Sequence, residues 1–223
     1  MKLALVPTPV GNLEDITLRA IRYLQECDFI LCEDTRYSSK LLQHLGISKP
    51  LMSYHQNNEH QTLGKVIQKI QSYNLTCLIT DSGTPAISDP GFLLVRECIK
   101  EDIEVECLPG ATAFVPALVM SGLPAEKFVF EGFLPHKKGR ETRIKKIALE
   151  DKTVILYESP HRLQKTIDQL LAFCGEEREC AVVREISKLH QEVYRGTLLS
   201  TQAWVKETSP KGEFVILVSP VKD

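Results

Sequence analysis

The chain has 223 residues, 43% of them hydrophobic and 25% charged, with a net charge of −2. That composition suits one large or two small globular domains with room for a sizeable core. It excludes a global attraction to nucleic acid or to acidic membranes, so any such binding must come from a local patch. The seven cysteines form no C-x-x-C pair, and most sit inside apolar runs. This predicts buried, reduced thiols in a cytoplasmic protein without a metal site. No apolar stretch approaches the roughly 20 residues that span a bilayer. The N-terminus enters a strand by residue 3 and does not read as a signal peptide.

In chain order, strands are expected at 2–6, 28–32, 51–53, 75–80, 103–107 and 127–132, and helices near 16–26, 35–45, 59–72, 91–100 and 112–121. In the first helix Ile16, Ala20 and Leu24 recur at spacing four, and Asp15 can cap it. Such alternation predicts a mainly parallel sheet with helices on both faces. Residues 133–146 break the rhythm with Pro135, Gly139 and a crowd of basic side chains. A domain boundary is expected there, giving an α/β domain over 1–133 and a second over 134–223. The second half predicts helices near 140–149, 160–173 and 198–206. Its strands are expected at 153–157, 180–186, 191–195 and 213–218. Their close late spacing implies antiparallel pairing, hence a mixed sheet.

Asp81-Ser-Gly-Thr-Pro-Ala-Ile-Ser-Asp-Pro-Gly91 joins an apolar strand to a helix. It is longer than the usual connection of about 2–6 residues. Pro7-Thr-Pro-Val-Gly-Asn12 and Pro109-Gly-Ala-Thr-Ala113 occupy equivalent junctions. If the strands are parallel, the three loops share one sheet edge, where open α/β folds bind ligands. There is no G-x-G-x-x-G after the first strand, no G-x-x-x-x-G-K-[ST] and no G-x-S-x-G. A dinucleotide site, a nucleotide hydrolase and an α/β-hydrolase are therefore disfavoured.

The motifs Val6-Pro-Thr-Pro-Val-Gly-Asn-Leu-Glu-Asp-Ile-Thr17, Glu33-Asp-Thr-Arg36, Asp81–Gly91, Glu131-Gly-Phe-Leu-Pro135 and Glu158-Ser-Pro-His-Arg162 occur in order. They resemble the ribosomal small-subunit methyltransferase I family, part of the tetrapyrrole-methylase-like class of S-adenosylmethionine (SAM) methyltransferases. The resemblance covers residues 3 to about 218. It implies a homodimer of two-domain subunits that methylates the ribose 2′-hydroxyl of a decoding-centre cytidine in 16S rRNA, with SAM in the cleft between the domains. It places the cofactor at Val10, Gly11, Thr84, Ile87, Thr112 and Ala113. It adds Tyr157, Glu158, Arg184, Glu185, Gly212 and Glu213 in the second half. Gly83, Pro85 and Gly110 belong to the same loops. Ser82 stands where alanine is usual in the family, and Gly110-Ala-Thr112 where Gly-Pro-Ser is usual.

The polar residues admit two readings each. Asp34 or Thr35 can cap a helix, or Glu33–Arg36 can form a substrate wall with Arg36 on a phosphate. His161 can be a helix-start residue or a site residue. Candidates for a base on the ribose hydroxyl are Glu33, Asp34, Glu158, His161 and Glu185. Lys137, Lys138, Arg140, Arg143, Lys145 and Lys146 can form a solvated helix face or grip RNA phosphates. Their density in an acidic chain favours RNA. The basic run also weighs against a tetrapyrrole or small-molecule substrate, and the Gly/Pro loops weigh against a non-catalytic RNA-binding module.

Overall fold

A computed structural model describes residues 1–56 and 58–221. The chain divides into two compact units, Met1–Thr112 and Ala113–Asp223.

The first unit holds strands β1 (Lys2–Leu5), β2 (Phe29–Cys32), β3 (Leu51–Ser53), β4 (Leu75–Ile79) and β5 (Glu104–Cys107). They form one sheet of order β3-β2-β4-β1-β5 in which every pairing is parallel. Helices α1 (Leu18–Glu26) and α2 (Thr35–His44) carry the chain outward through β2 to β3. Helices α3 (Glu59–Gln71) and α4 (Phe92–Lys100) carry it back through β4 to β5. Right-handed crossovers therefore put the two pairs on opposite faces, and the cores confirm it. Ala4, Ile30, Cys77 and Ile79 pack with Ala20, Leu24 and Leu42 of α1 and α2. Leu3, Leu5, Leu31 and Leu78 pack with Val66, Ile70, Leu94 and Cys98 of α3 and α4. Each strand thus feeds two cores by the period-two alternation of its side chains. Asp15 is not the first cap: it ends a single 3-10 turn, and Thr17 caps α1 by accepting the Ala20 N–H at 3.0 Å.

The second unit opens with α5 (Phe114–Ser121), followed by β6 (Phe128–Phe133), α6 (Arg140–Ala148), β7 (Thr153–Glu158) and α7 (Pro160–Cys174). It ends with β8 (Glu179–Arg184), β9 (Glu192–Thr197), α8 (Leu198–Thr208) and β10 (Phe214–Val218). The sheet order is β6-β7-β10-β8-β9; β6 and β7 are parallel and the other pairs antiparallel. The mixed sheet is as expected. The expected break near residue 133 sits differently: β6 pairs with β7, so α5 and β6 fall in the second unit and the division comes after Thr112. The Pro/Gly and charge punctuation at 133–146 marks the start of α6 instead. Helices α6, α7 and α8 pack on Val154, Leu156, Val182 and Ile216.

Candidate active site

Parallel pairing puts the β1, β4 and β5 loops on one edge of the first sheet, and they interlock. Thr8 and Gly83 exchange both backbone hydrogen bonds, at 2.9 and 3.0 Å. The Thr8 hydroxyl donates to the Thr80 carbonyl at 3.0 Å. The Thr84 hydroxyl donates to the Ala111 carbonyl at 2.9 Å. Gly110 lies against the Pro7 ring, where a Cβ would come within 2.6 Å. Within the β4–α4 loop, Ala86 (φ 69°) and Ser88 (φ 63°) are left-handed, and the Ala86 N–H bonds the Pro90 carbonyl at 3.2 Å. Such conformations persist only where the surroundings hold them. Val10, Thr84 and Thr112 are half-buried, Pro85 is buried, and Gly11, Ile87 and Gly110 are exposed at this edge. Ala113 opens the second unit as the residue before α5.

Acids line the same edge. Asp34 caps α2, accepting the Arg36 N–H at 2.8 Å, and its carboxylate grips the Arg36 guanidinium at 3.1 and 2.7 Å. That pairing holds Asp34 down at about 2. The Asp34 N–H donates to Asp81 Oδ1 at 3.3 Å. Burial and the Asp81 charge raise Glu33, against a hydrogen bond from the Asp81 N–H. Burial also raises Asp81. Burial, then the charges of Glu33 and Asp81, push Asp89 up to about 7. Sequence reasoning missed Asp89 as a site residue. Its signal was its place inside the Asp81–Gly91 stretch, as the second acid of a loop that turns back on the strand end.

The second-unit residues form two groups. In the first, Glu158 is 2% exposed at the end of β7. Its carboxylate accepts the Ser159 N–H at 2.9 Å and the Thr166 hydroxyl at 2.6 Å. Arg162 lies 3.3 Å and Arg140 3.9 Å away. Arg140 is itself buried, bonding Gln169, Thr166 and the Pro135 carbonyl. Two expectations are corrected here. Arg140 is not on the basic surface, because its guanidinium ties α6 to α7. Glu158 is not a free base, because it is buried, each of its oxygens accepts a hydrogen bond, and two guanidiniums lie against it. Tyr157, beside it, makes edge contacts with Phe130 and Phe133 at 5.1 and 5.6 Å. His161 is exposed in the first turn of α7.

In the second group, Glu185 adopts φ 50° just after β8. Its Oε1 accepts the Glu213 N–H at 2.8 Å and Lys188 Nζ at 3.0 Å. Burial pushes Glu185 up, but the Glu213 N–H and Lys188 outweigh it and leave it lowered. A Cβ on Gly212 would fall 2.6 Å from the Glu185 carboxyl carbon. Arg184 is half-buried, bonding the Lys211 carbonyl and, at 3.2 Å, Glu192.

Of the remaining basic run, Arg143 pairs with Glu131 and Lys145 with Glu141 at 2.7 Å. Lys137, Lys138 and Lys146 are exposed and have no ion-pair partner among the described residues. Arg36 is exposed but occupied by Asp34. Among the described residues no three His, Cys, Asp or Glu side chains are grouped to hold a metal ion. No helix among them is long and apolar enough to cross a membrane.

Comparisons with known proteins agree with this architecture. The family model for tetrapyrrole (corrin/porphyrin) methylases matches residues 2–201. A protein of Synechocystis sp. named ribosomal RNA small subunit methyltransferase I is 47% identical over 218 residues, 97% of this chain and 78% of that one. Its namesake in Thermotoga maritima is 41% identical, covering 98% of each chain. The fold also matches uroporphyrin-III C-methyltransferase from Thermus thermophilus complexed with S-adenosylhomocysteine, with TM-score 0.68, 19% identity and 97% coverage of both chains. The chain therefore belongs to the tetrapyrrole methylase family, among its ribosomal RNA small subunit methyltransferase I members.

Proposed function

We propose that the chain transfers a methyl group from SAM to the ribose 2′-hydroxyl of a decoding-centre cytidine in 16S rRNA, acting on the small ribosomal subunit as a cytoplasmic homodimer. The interlocked loops of the first unit carry this reading. They fix the backbone at Gly83, Thr84, Gly110 and Ala111, with apolar Val10 and Ile87 on the same strand-end loops. The chemistry suits SAM: backbone groups for its polar parts, apolar side chains for its ring, and Glu33 and Asp81 of the same edge for a cationic sulfonium. When bound, SAM supplies an already activated methyl group. The protein's task is then to align oxygen, carbon and sulfur, exclude water and accept one proton. Lys137, Lys138 and Lys146 are the free cations suited to RNA phosphates. The relatives' shared name supports rRNA as the substrate, and the resemblance narrows it to a ribose.

The test is methyl transfer from labelled SAM to small subunits, protein-free rRNA and a porphyrinogen, followed by mass spectrometry of nuclease digests. A 2′-O-methylcytidine from the subunit arm is expected. Label on a free base, on the porphyrinogen or nowhere overturns the reading.

A further inference from the structure

Resting on that reading, we propose that Asp89 is the catalytic residue that takes the proton from the ribose hydroxyl, with Thr80, at the end of β4, as a positioning residue. Four candidate acids, and Asp81 beside them, are engaged by their contacts, while His161 is exposed in the first turn of α7. Asp34 is neutralised by Arg36, Glu158 is buried with two hydrogen bonds and two guanidiniums against it, and Glu185 is tied to Lys188 and the Glu213 N–H. Glu33 is held down in part by the Asp81 N–H, and Asp81 accepts the Asp34 N–H at 3.3 Å. Asp89 alone among these is half-buried with no hydrogen-bond or ion-pair partner among the described residues.

A second observation points into the same space. Thr80 is 2% exposed, and its hydroxyl has no hydrogen-bond partner among the described residues. It follows Leu78 by two positions, as Glu33 follows Leu31, so both lie on the sheet face covered by α3 and α4. The register Leu31↔Leu78, Cys32↔Ile79 makes Glu33 and Thr80 neighbours across β2 and β4. Asp89 enters this face from the loop into α4, where Gly91 abuts Leu78: a Cβ on Gly91 would lie 3.0 Å from Leu78 Cδ2. A buried hydroxyl without a partner is uncommon. On the same sheet face as an unpaired carboxylate, it suits a ligand that can both donate and accept a hydrogen bond, which a sugar hydroxyl does.

The charged groups facing Asp89 are Glu33 at the end of β2 and Asp81 at the end of β4; His55, after β3, faces Glu33. Among the described residues no cation faces Asp89, so its proton affinity is raised rather than quenched. In the transfer, the ribose O–H bond breaks with its proton passing to an Asp89 oxygen. The ribose oxygen forms its bond to the methyl carbon as the carbon–sulfur bond breaks. The departing electron pair stays on sulfur as a neutral thioether, and Asp89 returns its proton to water.

The experiment uses the full chain with small subunits lacking the modification. Single-turnover rates are followed from pH 5.5 to 9, SAM affinity is measured by calorimetry, and the Asp89 carboxyl is titrated by carbon NMR. For the native chain, the rate is expected to rise about tenfold per pH unit and level off above about pH 7, tracking the NMR titration. Asp89→Asn should lower the rate at least 100-fold and flatten the profile, with SAM affinity within about threefold. Asp89→Glu should keep part of the rate with a displaced pH midpoint, and it decides the matter if Asp89→Asn does not fold. Thr80→Val should slow transfer without moving the midpoint. An Asp89 titrating near 4, or an Asp89→Asn rate within threefold of native, overturns the assignment. If the native product carries its methyl on a base, it is the ribose reading that fails, whatever Asp89→Asn does.

Discussion

Gly110 and Pro7 pack so closely that a Cβ on Gly110 would lie 2.6 Å from the Pro7 Cβ and 2.8 Å from its Cγ. The β5 loop is therefore keyed against the β1 loop by the absence of a side chain. Gly83 differs: a Cβ there meets nothing nearer than 3.8 Å, but its φ is +82°. Gly110→Val is expected to destabilise by about 1–3 kcal/mol through overpacking. Gly83→Val should cost about 1–2 kcal/mol through its left-handed backbone. Both should weaken SAM binding at least tenfold. Calorimetry with native affinity in both variants would remove these loops from the cofactor site.

The Arg140–Glu158 arrangement yields a stability prediction. Removing one partner of a buried pair strands the other charge, at about 3–5 kcal/mol. Arg140→Ala and Glu158→Gln should each lower the urea midpoint strongly, and the double variant should lose much less than the sum. Additive losses would show that the two side chains act separately.

Much of this was legible in the sequence. The apolar runs alternating with helical stretches gave both sheets, because these patterns act locally, and the Gly/Pro loops do lie on one edge of the first sheet. What was not legible depended on long-range partners. Arg140 and Arg143 stand three residues apart in one basic run, yet Arg140 turns inward to Thr166 and Gln169 while Arg143 meets Glu131. Asp34 is a candidate base in the sequence and Asp89 is not, and only Arg36 beside the first and two acids beside the second reverse that order. β6 joined the second sheet because its pairing partner, β7, lies beyond the charged punctuation that suggested a boundary.

The free lysines make a third prediction. Changing Lys137, Lys138 and Lys146 to alanine removes three unpaired charges. The slope of log affinity for rRNA against log salt should fall by about 2–3. SAM affinity should not change. Arg143→Ala alone should do little, since Glu131 already occupies that guanidinium. Filter-binding across salt concentrations checks this, and an unchanged slope means a merely solvated face.

Asp89 makes a last prediction that needs neither substrate nor cofactor. An ordinary carboxyl titrates at about 3.9 in an unfolded chain, and in the folded chain Asp89 is raised to about 7 by burial, Glu33 and Asp81. Between those values the folded state binds the extra proton, so the Asp89 contribution to stability is present below about pH 4 and is lost as pH rises to about 7. A shift of about three units corresponds to about 4 kcal/mol at most; half-exposure reduces this to about 1–3 kcal/mol. Asp89→Asn abolishes the titration without adding a charge. Relative to native, Asp89→Asn should therefore gain about 1–3 kcal/mol between pH 4.5 and pH 7.5. Urea unfolding of both proteins at several pH values measures the difference, in which the other acids cancel. A difference that stays flat across that range would mean that Asp89 is ionised in the resting protein, and with it the case for a proton acceptor poised near neutrality would go.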